Sequence, residues 1–151
     1  MAFYYLETSA LVKLYVREPG TERVLALATR SSENRLAILD LSQVELRSAI
    51  RRREREGDIP TLAANELLAT FKGHIEARFV IQKITDFVLD IASVLVDRHT
   101  LRAFDAIQLA GYVVLKSSAR SDTPTFVCSD QALLVAAKQE GMVILDPSST
   151  T

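Results

Sequence analysis

Apolar and polar positions along the chain divide it into short strand-like runs and longer stretches with helical spacing. Ala2 to Leu6 is a compact, aromatic-rich run, and after Thr8-Ser9 the apolar residues Ala10, Leu11, Leu14 and Tyr15 recur at helical intervals. This reads as strand, N-cap at Thr8-Ser9, then helix, with Glu7 at the mouth of the turn. Beyond Glu18-Pro19-Gly20 a helix is expected over Glu22 to Arg30, and Leu36 to Leu39 predicts a second strand. Ser42 opens a long helix to about Glu56, stopped by Gly57-Asp58. Pro60 starts another over Thr61 to Phe71, so the two form a helical hairpin. Phe79, Ile81 and Ile84 mark a third strand, and Asp86 to Arg98 is helical. The helix from Asp105 to Lys116 is too apolar through Gly111-Tyr112-Val113-Val114-Leu115 for a surface element and should lie on the sheet. Thr125 to Cys128 is a strand, Asp130 to Gln139 a helix and Met142 to Leu145 the last strand. Pro147 to Thr151 is a polar tail expected to lack fixed structure.

Short apolar strands separated by helices point to a single α/β domain, residues 1–146, with a central parallel sheet flanked by helices on both faces. Such sheets collect ligand sites at the carboxyl ends of their strands. The chain has 151 residues, of which 48% are hydrophobic and 25% charged, which excludes disorder and low complexity. Cys128 is the lone cysteine, so an internal disulfide is excluded, and only His74 and His99 are histidines. A bound metal would therefore be a hard ion held by carboxylates. The net charge of −1 offers no global attraction to polyanions, so nucleic-acid binding would need a local patch. The start has no basic leader and no segment approaches the roughly 18 apolar residues of a membrane span, so a cytoplasmic location without membrane contact is expected.

Four acids fall at strand or helix ends: Glu7, Glu45, Asp105 and Asp130. Each has a local explanation. Ser42-Gln43-Val44-Glu45 fits a capping box, and Asp105 and Asp130 fit caps or first-turn anions. Gathered at one sheet edge they would repel, by roughly 3 kcal/mol for two charges about 5 Å apart at an effective dielectric near 20. A divalent cation such as Mg²⁺ or Mn²⁺ would resolve that repulsion, and an acidic pocket of this kind suits metal-assisted hydrolysis of a phosphodiester. Neither histidine falls in a triad motif and no G-x-S-x-G elbow occurs, which argues against a side-chain nucleophile. Arg47, Arg51, Arg52, Arg53 and Arg55 cluster on the helix that carries Glu45; Arg51 and Arg52 are candidate nucleic-acid contacts, although Glu54 and Glu56 interleave with them as on an ordinary solvated face.

YYLETSALVKLYVREPG at the start, Ser42 to Ile50, LRAFDAIQLA at residues 101 to 110 and FVCSDQALLVAAKQEGM at 126 to 142 resemble, in order and over nearly the whole length, the PIN-domain nucleases, particularly the VapC-type toxins. The resemblance implies an acidic site binding Mg²⁺ or Mn²⁺, endonucleolytic cleavage of RNA, a homodimer and a cognate antitoxin whose helix docks near the first helices. Glu45, Asp105 and Asp130 match the family's second, third and last acids. Glu7 stands where members usually have Asp, one methylene shorter, which implies either an enzyme that accommodates Glu or a catalytically weakened module binding RNA or a protein partner. Ser9, Thr8 and Ser129 are the supporting candidates beside the acids, with Thr8 and Ser129 equally readable as caps. Leu62, Leu67, Leu68 and Phe71 are candidates for groove or dimer contact. A flavodoxin-like or receiver-type regulatory domain shares only the layered architecture and lacks a phosphate-binding glycine loop.

Overall fold

The computed structural model describes residues 2–29 and 33–150. Within them, strands β1 (Phe3–Leu6), β2 (Arg35–Leu39), β3 (Phe79–Gln82), β4 (Thr125–Val127) and β5 (Ile144–Leu145) form a five-stranded sheet in the order β3-β2-β1-β4-β5. Every neighbouring pair is parallel, and β1 lies at the centre with Tyr5 opposite Ala37 on one side and Phe126 on the other. Parallel pairing requires a crossover between strands, and the helices supply it. They are α1 (Thr8–Leu11), running into a 3₁₀ turn at Val12–Leu14, α2 (Thr21–Ala28), α3 (Ser42–Arg55), α4 (Thr61–Ala77), α5 (Asp86–Arg98), α6 (Ala103–Ser118) and α7 (Gln131–Gln139).

Alternation along the strands splits the core in two. Phe3 and Tyr5 of β1, Ala37 and Leu39 of β2, and Phe126 of β4 pack with α5, α6 and α7 on one face. Leu6, Ile38 and Val127 pack with α1 to α4 on the other. Helix α6 lies close to the sheet because residue 111 is glycine: a Cβ there would stand 2.6 Å from Leu39 Cδ1 and 2.7 Å from Tyr5 Oη. Both contacts are closer than packed atoms tolerate.

Several boundaries differ from the periodicity reading. Helix α4 continues past Phe71 to Ala77, since Ile75 adds to the core that Leu68 and Phe71 already occupy. Leu68 and Phe71 are thereby mainly core residues, 5% and 3% exposed, although both also line a pocket of about 340 Å³ between α3 and α4 with Val44, Arg47 and Ile75, whereas Leu62 is 70% exposed and Leu67 half-buried. Ile84 and Met142 lie just outside β3 and β5 and pack against the core from the loops. Helix α2 stops at Ala28, and Arg30 lies outside the described residues. The tail is ordered through residue 150. Pro147 is buried over Gly20, whose φ of 94° turns the chain into α2, and Arg23 donates to the carbonyls of Asp146 and Ser149.

Candidate active site

The carboxyl end of β1 leads directly into Glu7, whose carboxylate caps α1 by accepting the amide of Ser9 at 2.8 Å. The expected cap at Thr8-Ser9 is thus displaced by one residue. Both residues enter the helix, and their hydroxyls are left to serve the neighbouring acids. Ser9 Oγ donates to Glu7 Oε2 at 2.5 Å and accepts the amide of Ser129 at 2.8 Å, which ties the ends of β1 and β4 together. Cys128 Sγ donates to the same carboxylate oxygen at 3.4 Å. Burial raises the pKa of Glu7 above its ordinary value; the hydroxyl and amide of Ser9 and the thiol of Cys128 pull the other way, and the charge of Glu45 adds to the rise. Burial, reinforced by Glu7, also pushes the Cys128 thiol up and keeps it neutral.

Glu45 does not close a capping box. Ser42 lies inside α3 rather than at its cap, and the N-cap, Leu41, has no side chain able to accept. Glu45 Oε1 instead accepts from Thr8 Oγ1 at 2.8 Å and from Gln108 Nε2 at 2.7 Å. The tertiary partners win because each bond to a carboxylate is charge-assisted, and Gln108 would otherwise bury an amide without a partner. Gln108, 1% exposed, also reaches Thr8 Oγ1 at 3.0 Å and Ser42 Oγ at 2.9 Å, so its two amide hydrogens are shared among three acceptors. The buried Tyr5 hydroxyl donates to the main-chain carbonyl of Gln108 at 2.8 Å and lies 3.1 Å from its side-chain oxygen, so one hydroxyl is shared between both oxygens of the residue. Sequence reading passed over Gln108, yet a signal was there: it is a polar residue three positions after Asp105 in an otherwise apolar helix, hence on the same face.

Asp105 lies in the first turn of α6, half-buried, with Arg102 Nε 3.4 Å from its Oδ2. It shares a cleft of about 630 Å³ with Thr8, Glu45, Arg52 and Arg102. Glu7 and Asp130 do not line that cleft. Asp130 is the N-cap of α7, its Oδ1 accepting the Leu133 amide at 3.1 Å, and its own amide donates to Cys128 Sγ at 3.3 Å. Ser129 Oγ turns to Asp146, at 3.2 Å. Arg51 is engaged by Glu54 and by Asn65 of α4, and Arg53 by Glu18, while Arg52 is exposed at the cleft. His99 closes α5 and meets Glu140 at 2.8 Å, apart from the acids.

The four acids therefore occupy two linked positions and not one compact cage. Thr8, Glu45 and Asp105 share the cleft; Glu7, Ser9, Cys128, Ser129 and Asp130 form the seam behind it. Among the described residues no three His, Cys, Asp or Glu side chains form a ready ligand set. The donor chemistry nevertheless fits a hard divalent cation. Glu7 and Glu45 each have one oxygen held by protein donors, and among the described residues Glu7 Oε1 and Glu45 Oε2 accept no hydrogen bond. A hard ion that keeps most of its waters needs only one or two such carboxylates.

Comparison with known proteins shows the family of the chain. The PIN domain profile matches residues 4–111. Over 147 residues the chain is 30% identical to Ribonuclease VapC47 of Mycobacterium tuberculosis (strain CDC 1551 / Oshkosh), covering 96% of this chain and 97% of the relative. In fold it is similar to FitAcB from Neisseria gonorrhoeae, with a TM-score of 0.65, 15% identity and coverage of 95% of this chain and 97% of that one. It is also similar to a toxin-antitoxin complex from Klebsiella pneumoniae, with a TM-score of 0.61, 14% identity and the same shares of each chain. With the profile spanning both the Glu45 and the Asp105 segments, and a relative matched almost end to end, the chain belongs to the PIN-domain family.

Proposed function

We propose that the protein is an endoribonuclease dependent on Mg²⁺ or Mn²⁺ and the toxin of a toxin–antitoxin pair, with Glu7, Glu45, Asp105 and Asp130 as its acidic set. The observation that carries this reading is that Glu7 and Glu45, joined through Thr8, which follows the first and donates to the second, each keep one oxygen without a donor among the described residues. Two carboxylates in that state are stabilised by a bound cation. Glu7 and Glu45 would hold the ion, with Asp105 in the same cleft as Glu45 and Asp130 at the adjoining seam. When bound, the ion supplies Lewis acidity, acidifying water and offsetting charge that develops on the phosphoryl oxygens.

The chain's own residues do the rest. Thr8 and Gln108 restrain Glu45 through one oxygen, so its other oxygen needs little reorganisation to act. Ser9 does the same for Glu7, and Ser129 holds the seam through its backbone amide. Arg52 and Arg102, both exposed at the cleft, would hold RNA phosphates beside the acids. The name of the full-length relative supports a ribonuclease, and the toxin–antitoxin complex of like fold supports an antitoxin partner. An apolar pocket of about 270 Å³ beside the 3₁₀ turn and α2, lined by Leu14, Tyr15, Leu25 and Phe79, is a suitable docking place for an amphipathic helix from that partner. A homodimer and a cytoplasmic location complete the reading; among the described residues no helix is long and apolar enough to cross a membrane.

The test is RNA cleavage across a Mn²⁺ titration by the parent chain, Glu7→Asp and Asp105→Asn. Cleavage that requires the metal and falls more than about 100-fold in Asp105→Asn, with an unchanged far-UV spectrum, supports the enzyme. Cleavage only in Glu7→Asp identifies a weakened module, and undiminished cleavage by Asp105→Asn overturns the assignment.

A further inference from the structure

The cleft is larger than its acidic floor requires. Its volume is about 630 Å³, whereas an ion with six waters at about 30 Å³ each occupies roughly 200 Å³. The space left over is of the size that binds a small organic group. Its walls repeat one arrangement on two helices. Val44 precedes Glu45 in the first turn of α3, Phe104 precedes Asp105 in the first turn of α6, and all four residues line the cleft. Val44 is 67% exposed and Phe104 61%, so neither gains from core packing. Two guanidinium groups complete the walls: Arg102, whose side chain is 85% exposed, and Arg52, which forms no ion pair among the described residues.

We infer that the outer part of this cleft is a nucleobase site, in which an unpaired base next to the reacting phosphodiester stacks on Phe104 and rests against Val44, while Arg52 and Arg102 hold the adjoining phosphates. The inference rests on the ribonuclease reading and names the contact that positions its substrate. An exposed ring beside arginines is what a nucleotide needs: every base offers a π-face, and guanidinium forks match phosphate oxygens. A second copy of the chain is a poorer occupant, because an apolar interface over this cleft would strip water from Glu45, Asp105, Arg52 and Arg102 together.

The full-length chain is tested in Ca²⁺ buffer by fluorescence anisotropy, with a labelled ten-nucleotide single strand of RNA and a strand of equal length in which the bases are removed, gels confirming that the strand stays intact. The parent should prefer the base-bearing strand by about tenfold. Phe104→Ala should bring the ratio close to one, and Phe104→Tyr should restore it. Arg52→Ala and Arg102→Ala should weaken both strands alike and lower the salt slope by about 0.7 each. An unchanged ratio in Phe104→Ala overturns the site, as does conversion of a dimer into monomer by that substitution in sedimentation, which would make Phe104 an interface residue. Failure of metal-dependent cleavage with the base preference intact overturns the nuclease reading alone; cleavage without base preference overturns this one alone.

Discussion

Gln108 Nε2 lies 2.7 Å from Glu45 Oε1, joining the middle of one buried helix to the first turn of another across 63 residues of sequence. The Tyr5 hydroxyl of the central strand bonds the main-chain carbonyl of Gln108 at 2.8 Å and lies 3.1 Å from its side-chain oxygen, so the acid at the cleft is held by a chain of bonds rooted in the core. Gln108→Leu keeps the volume and removes the bonds. The expected loss is about 2 kcal/mol, or a melting temperature lower by roughly 4–8 °C, from partners left short of a donor. Thermal denaturation checks the loss, and Mn²⁺ titration by calorimetry should show weaker binding in the same variant.

Burial above all, with a smaller addition from the charge of Glu45, opposes ionisation of Glu7, and a cation at the two carboxylates would offset both. Mn²⁺ at about 100 times its dissociation constant should add about 2.7 kcal/mol of stability and raise the melting temperature by roughly 5–10 °C. Glu45→Gln should abolish that rise and cost the metal-free chain about 1 kcal/mol, because it weakens the charge-assisted bonds from Thr8 and Gln108 by more than it relieves Glu7. Paired melts with Mn²⁺ and with chelator measure both effects.

Lys13 is a buried cation whose side chain is 6% exposed, and Glu18 holds it at 2.9 Å while also meeting Arg53 at 2.6 Å. Removing the carboxylate in Glu18→Ala leaves Lys13 without this counter-charge, at an expected cost of about 3–5 kcal/mol. A Lys13→Met, Glu18→Leu double variant should recover most of it, since the penalty comes from the stranded charge. Denaturant unfolding of the three chains decides the matter.

Asp146 anchors the final residues. Burial pushes its carboxyl up, but bonds from the hydroxyl and amide of Ser148, with Gln131 and Ser129, outweigh burial and hold the pKa below its usual 3.8. An acid with a depressed folded-state pKa contributes stability above its unfolded value and loses it as pH falls through the folded value. Residues 147–150 should therefore stay docked against α2 at neutral pH and loosen only below about pH 3.8. Hydrogen exchange at the Ser148 amide should show this release, and Asp146→Ala should show it at pH 7 with a local loss of about 1 kcal/mol.

The order of strands and helices, the parallel sheet and the burial of the Gly111 helix were legible in the chain, because apolar spacing within ten or so residues decides which face an element presents. The acids at the element ends were legible for the same reason. What each carboxylate bonds was not. Glu45 leaves its local cap for Gln108 and Thr8, Asp130 keeps its cap, and Arg51 and Arg53 turn to Glu54 and Glu18. Local pattern sets a residue's position on its own helix or strand. Its partner is settled by contacts as far apart as Thr8 and Gln108, 100 residues distant, which exist only once the two cores have closed around the sheet.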